Sequence, residues 1–231
     1  MKIEKLEPSK HKEGRWLVWL EDGSPVRVGE GDVVSLGLYA GKELSDAEGE
    51  ALAAAGVRSR LMEKAVGLLA LRPMSRRELL DKLCAPPRTK QGKYPYDKLD
   101  DAPGRSALQS RREALLAQAE SVADRLTDLG LLDDGEYARA VARHCAAKEY
   151  GPRKLRDELY RRGVPREYWE DALTEAEPDD SRIDELARQK LRGAEPTREN
   201  LKKVSDYLAR RGYGWEEISS ALERIREEYD S

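Results

Sequence analysis

Apolar residues recur four apart through the second half of the chain, as Leu155 with Leu159 and then Trp169 with Leu173. Positions four apart share one helical face, so each pair marks an apolar stripe. The breaks between stripes are written just as plainly. Asp133 with Glu136 is a capping-box signal that opens one helix, and Gly151-Pro152 closes it and supplies a first-turn proline for the next. Gly163 ends that second helix and Val164-Pro165 begins a third. Residues 133–178 therefore predict a three-helix unit.

The unit recurs. Arg161-Arg162-Gly163 is matched by Arg210-Arg211-Gly212, Leu159 by Leu208, Trp169 by Ile218 and Leu173 by Leu222, all at one spacing of 49 positions (163 to 212, 173 to 222). A fainter copy lies upstream. Ser75, Leu79 and Leu83 precede Gly151, Leu155 and Leu159 by 76 positions, whereas Val122 and Leu126 precede Trp169 and Leu173 by 47, which implies an insertion between its second and third helices. A unit this small cannot bury its apolar stripe alone and needs stacked neighbours.

Ahead of the repeats the period changes. Residues 2–6 and 16–20 read as strands, Asp22-Gly23 as a hairpin turn and residues 25–28 as a short edge strand. Residues 32–38 predict a short helix, and Ser45 with Glu48 caps another over 47–55 that Gly56 stops. A long helix over 58–72 ends at Pro73, and Ser75 with Glu78 caps its successor. Between about 85 and 110, Pro86, Pro87, Pro95, Pro103 and Gly104 forbid a continuous helix, which resumes near Arg111 and runs to Gly130. The last copy predicts helices over 181–192, 198–211 and 215–228.

The expected fold is mainly α: an elongated tandem array of three three-helix repeats behind a small β-strand-rich N-terminal subdomain. Its expected division is 1–57 for the subdomain, 58–132 for the first repeat with its insertion, 133–178 for the second and 179–231 for the third. Composition agrees, since charged residues make up 38% and apolar ones 39%, with no phenylalanine, which suits a row of small units with thin cores.

Several chemistries drop out. No apolar run approaches the roughly 18 residues of a spanning helix, and the first residues lack the apolar core of a signal peptide, so a cytoplasmic protein without a membrane is expected. His144 and Cys145 are consecutive and point about 100° apart on a helix, so no metal or other cofactor is expected. Gly37 to Lys42, GLYAGK, is one residue short of a phosphate loop and is followed by Glu43 where a hydroxyl should hold magnesium. Gly29-Glu30-Gly31 lacks the third glycine of a dinucleotide turn. Asp133 and Asp134 read as caps rather than as acid and base, and no enzyme is expected.

Charge then singles out a surface. The net charge is −3, from 42 basic and 45 acidic residues, yet Arg153, Lys154, Arg156, Arg161, Arg162 and Arg166 crowd the middle repeat's second helix and its end. With Leu155 and Leu159 inward, Arg153, Lys154, Asp157, Tyr160 and Arg161 face outward. Basic residues recur on the equivalent helices, as Arg76, Arg77 and Lys82 and as Lys202, Lys203, Arg210 and Arg211. The candidate partner-binding set is those seven with Arg153, Lys154, Arg156, Tyr160, Arg161 and Arg162. The bland alternative is a solvated face on which Lys154 pairs with Glu158 and Asp157 with Arg161. Tyr168, Trp169 and Trp215 stand at core spacing.

The stretches LGLLDDGEYAR, GPRKLRDELYRRGV and ARRGY resemble the RecX family of regulatory proteins. The resemblance covers residues 58–228, the leader is similar to that of longer members, and the insertion after Ala85 departs from the family's short connection. It implies a protein that binds the RecA recombinase filament on single-stranded DNA, lowers its ATPase and strand exchange and favours its disassembly; a monomer is expected. DNA repair, recombination and the SOS response would be the setting, with weak direct DNA contact at most. The competing class is a helical-repeat protein whose units act on DNA directly, like helix-turn-helix modules.

Overall fold

The computed structural model describes residues 1–85, 102–176 and 180–230, of which 102–108, 180 and 230 are described as backbone only. Its chain forms two compact units, Met1–Pro73 with Leu79–Leu132, and Met74–Glu78 with Asp133–Ser231.

In the first unit, β1 (Ile3–Pro8), β2 (Arg15–Leu20) and β3 (Pro25–Gly29) form an antiparallel sheet in that order. Alternation decides which face is covered: Ile3, Val18, Leu20 and Val28 are buried and cluster with Leu52 and Ala55. Helix α1 (Glu30–Ser35) starts two residues before the expected position and ends three before it, because Gly37 turns left-handed at φ 55° and lets Leu38 donate its N–H to Val33 O. Leu38 is thereby buried.

The predicted stop at Gly56 is corrected. Helix α2 (Asp46–Leu71) runs straight through it as 26 residues, opened by the expected box in which Ser45 Oγ accepts from Glu48 N and Glu48 Oε2 accepts from Ser45 N. A Cβ at Gly56 would sit 2.6 Å from Val26 Cγ1, so the glycine lets the helix pass close over β3. Salt bridges from Arg15 to Glu63 and from Arg58 to Asp32 tie α2 to the strands and to α1.

Helix α3 (Arg76–Cys84) follows, with Leu79 and Leu83 buried and Ser75 Oγ accepting from Glu78 N at 3.1 Å. Part of the predicted insertion, residues 86–101, lies outside the described residues. The remainder is corrected: α4 (Ala102–Asp128) begins nine residues before the expected start, Pro103 being tolerated in a first turn whose N–H groups have no helical partner. Helix α4 packs on α2, burying Ala119, Val122, Ala123 and Leu126.

The second unit holds two successive triplets. The first is α5 (Asp134–Ala147), α6 (Pro152–Arg161) and a 3-10 turn (Arg166–Tyr168) leading into α7 (Trp169–Glu175). Asp133 Oδ1 accepts from Glu136 N at 2.8 Å, but only this half of the predicted box forms, because the Glu136 carboxylate is taken by Arg139 and Arg143. Helix α5 ends at Ala147, earlier than Gly151, through a left-handed Glu149 at φ 56°. Tyr137, Val141, Cys145, Leu155, Leu159, Val164 and Ala172 form its core, with Trp169 and Leu173 packed at the edge.

The second triplet is α8 (Asp180–Leu191), α9 (Arg198–Arg211) and α10 (Trp215–Asp230), close to the predicted ranges. Its core is Ile183, Leu186, Leu191, Val204, Leu208, Tyr213, Ile218 and Ile225, so Leu208 repeats the burial of Leu159 at the spacing of 49. Asp184, nearly buried, accepts both hydrogen bonds of an Arg224 fork at 2.8 Å, joining α8 to α10.

Candidate partner-binding site

The two Arg-Arg-Gly turns are docking points inside the molecule. Gly151 N donates to Arg211 O at 2.9 Å and Arg153 N donates to Gly212 O at 3.0 Å, so the start of α6 is hydrogen-bonded to the turn after α9. The backbones touch. A Cβ at Gly151 would lie 2.6 Å from Gly212 O, and one at Gly212 would lie 2.5 Å from Lys154 N. Arg182 and Arg211 add donors to the end of α5, reaching Ala146 O at 2.6 Å and Lys148 O at 2.8 Å.

The same joint appears one repeat earlier. Ser75 Oγ donates to Arg162 O at 2.5 Å, Asp134 Oδ1 accepts Arg76 N at 2.7 Å, and a Cβ at Gly163 would lie 2.7 Å from Arg77 Cδ. The start of α3 thus meets the turn after α6 as the start of α6 meets the turn after α9. Burial pushes the Asp134 carboxyl above its ordinary value, despite the N–H of Arg76.

This joint sorts the thirteen candidate residues. Arg162 is held internally, donating to Glu158 at 3.1 Å and to Tyr137 Oη at 3.1 Å. Arg211, its counterpart, serves the α5 end and lies over the Tyr207 ring at 4.8 Å. Arg161 also pairs with Glu158, at 2.6 Å. These are not the pairs expected for a solvated face, since Glu158 takes Arg161 and Arg162 rather than Lys154. Burial would raise the Glu158 carboxyl, but the hydrogen bonds from those two arginines outweigh it and hold it below the ordinary value.

Most of the remainder are exposed. Arg153, Arg156 and Tyr160 on α6, and Lys202 and Arg210 on α9, are exposed and make no ion pair among the described residues. Lys203 is exposed with only a 3.4 Å contact to Asn200 Oδ1. Lys154 is half-buried under Gly212, Arg77 is exposed beside Gly163, Arg76 is half-buried, and Lys82 is half-buried with its carbonyl accepting from Lys64.

One residue was misplaced by its spacing. Trp215, expected in the core, is 69% exposed at the first position of α10. The repeat itself carries the missing signal: 49 positions earlier stands Arg166, an exposed residue that opens the 3-10 turn leading into α7. Trp169 behaves as expected, its Nε1 donating to Val164 O at 3.0 Å.

Among the described residues no group of three or more His, Cys, Asp or Glu side chains is placed to hold a metal, and no helix is long and apolar enough to cross a membrane. Lys42 of the GLYAGK stretch is used internally, donating to Leu36 O at 2.8 Å and pairing with Glu48. Cys145 is buried, which raises its thiol above the ordinary value.

Fold and surface together define a protein of tandem three-helix repeats joined through Arg-Arg-Gly turns. Residues 133–173 match the RecX second three-helix domain and residues 178–222 the third. The Regulatory protein RecX of Salmonella paratyphi A is 32% identical over 165 residues, covering 69% of this chain and 88% of that one. That of a Thermus thermophilus strain is 47% identical over 74 residues, which are 31% of this chain, and the match spans about half, 51%, of the Thermus protein. A crystal structure of a regulatory protein RecX superposes with a TM-score of 0.68 over 98% of both chains at 23% identity, so the fold is shared. The chain belongs to the RecX family of regulatory proteins.

Proposed function

We propose that this protein binds the RecA recombinase filament on single-stranded DNA and restrains it, lowering ATP turnover and strand exchange and favouring disassembly. Recombination, DNA repair and the SOS response in the cytoplasm would be modulated by this binding, with no catalysis and no cofactor of its own. The observation that carries the reading is that exposed cations unpaired among the described residues stand on both α6 and α9, with Arg153 and Lys202 at matching repeat positions. A filament presents the same protomer surface over and over, and a chain presenting the same cationic helix more than once can meet several protomers together. Weak single contacts then multiply through effective concentration.

Direct action on DNA is the competing class. It is disfavoured by the net charge of −3 and by the exposed Glu170, Asp171, Glu216 and Glu223 on the third helices, which repel a phosphate backbone. Titration into a filament ATPase assay separates the two. Inhibition at saturating binding supports filament restraint, and undiminished ATP turnover overturns it. Tight binding to bare duplex with a steep salt dependence, and no preference for the filament, points to DNA.

A further inference from the structure

We infer that Trp215, at the joint between the second and third repeats, is the apolar anchor of the partner interface, and that with Arg153, Arg156 and Tyr160 it takes an acidic protein segment carrying an apolar side chain. The inference rests on the proposed filament reading and names the chemistry by which that surface would choose its partner.

Trp215 is 69% exposed and Tyr160 is 68% exposed, although each could have been packed away in a chain with few aromatics. Among the described residues the Trp215 side chain has no hydrogen-bond or ring partner. An aromatic of this kind removes some 150–250 Å² from water when covered, and interface energy concentrates in Trp, Tyr and Arg.

The joint brings these residues together. Gly212 O is hydrogen-bonded to Arg153 N at 3.0 Å, and Trp215 lies three residues past Gly212, a reach of about 11 Å at most. From Arg153, Arg156 and Tyr160 continue along the exposed side of α6 at i, i+3 and i+7, over roughly 10 Å of helix axis. Trp215 and this exposed side of α6 thus flank one joint, with Arg153, Arg156 and Tyr160 on the helix and neither arginine paired among the described residues.

Its charges choose the partner. Arg153 and Arg156 call for carboxylates. Asp157 is exposed on α6 and Glu216 is exposed beside Trp215, and these would repel a continuous phosphodiester chain but can pair with basic residues interspersed on a protein surface. A protein segment of mainly acidic character, with an apolar side chain to cover Trp215, fits all of these groups.

The test uses the full chain and RecA filaments on single-stranded DNA, with binding followed by co-sedimentation. Trp215→Ala should weaken filament binding by about tenfold or more and Trp215→Phe should restore most of it, with helicity and melting unchanged because the side chain is exposed. Iodide quenching of the emission lost in Trp215→Ala should be strong in the free protein and suppressed on the filament. Filament binding by Trp215→Ala within twofold of wild type overturns the anchor alone. An equal loss on bare single-stranded DNA overturns it in favour of base stacking, and a wild-type dimer abolished by Trp215→Ala overturns it in favour of a second copy. A wild-type chain that does not bind the filament at all overturns the parent reading and the anchor with it.

Discussion

Gly151 and Gly212 approach so closely that a Cβ on the first would stand 2.6 Å from the carbonyl oxygen of the second. They lie in successive repeats, and their contact lets Gly151 N reach Arg211 O and Arg153 N reach Gly212 O. The joint between repeats is thus largely backbone to backbone, and its side-chain requirement is an absence of bulk.

Gly212→Ala should be strongly destabilising. The residue sits at φ 93°, where an L side chain costs about 1–2 kcal/mol, and its Cβ would also press on Lys154. A fall in melting temperature of several degrees by calorimetry is expected, and an unchanged melt would show that the joint yields freely.

Two glycines of α2 should respond in opposite directions. Gly67 has nothing within 4 Å of its would-be Cβ, so Gly67→Ala should stabilise by about 1 kcal/mol through helix propensity alone. Gly56→Ala gains the same propensity but drives a methyl to 2.6 Å from Val26 Cγ1 and should lose stability. Denaturant titrations of both variants test this, and equal stabilisation would mean that β3 gives way.

Arginines with internal partners should separate from those without. Arg162→Ala removes the bonds to Glu158 and Tyr137 and should cost about 1–2 kcal/mol, whereas Arg156→Ala should change stability by less than about 0.5 kcal/mol. In filament inhibition the order should reverse at matched folded concentration, with Arg156→Glu the more damaging. Equal effects in both assays would dissolve the division between joint and surface.

The start of α2 should carry an acid-sensitive contribution. Glu48 is lowered to about 2 from 4.5, first by the Ser45 backbone N–H and then by hydrogen bonds from Lys42 and Ser45. A depressed carboxyl contributes stability that is present above pH 4.5 and is lost as the pH falls through about 2. Stability of Glu48→Gln should fall less than that of wild type across this window, and parallel acid curves would show that the box contributes nothing.

Much of the architecture was legible before any coordinates, because its signals are local. The caps at Ser45, Ser75 and Asp133, the hairpin at Asp22-Gly23 and the buried pair Leu155 and Leu159 each depend on residues within a turn or two of one another. The spacing of 49 likewise carried Leu159 onto Leu208 and one Arg-Arg-Gly turn onto the next.

What the chain order alone could not decide was what stands opposite each residue. Gly56 reads as a stop until β3 is found against it, and then it is the point of contact within a continuous helix. Arg162 and Arg156 are alike as letters, yet one faces Glu158 and Tyr137 and the other faces solvent. Trp215 stands at a spacing that suits a core and is nevertheless exposed, while Ile218, three residues on in the same turn of α10, is buried. Periodicity and capping are short-range and can be read along one strand of chain. Burial, pairing and close approach are set by partners dozens of positions away, and only the folded arrangement brings those partners together.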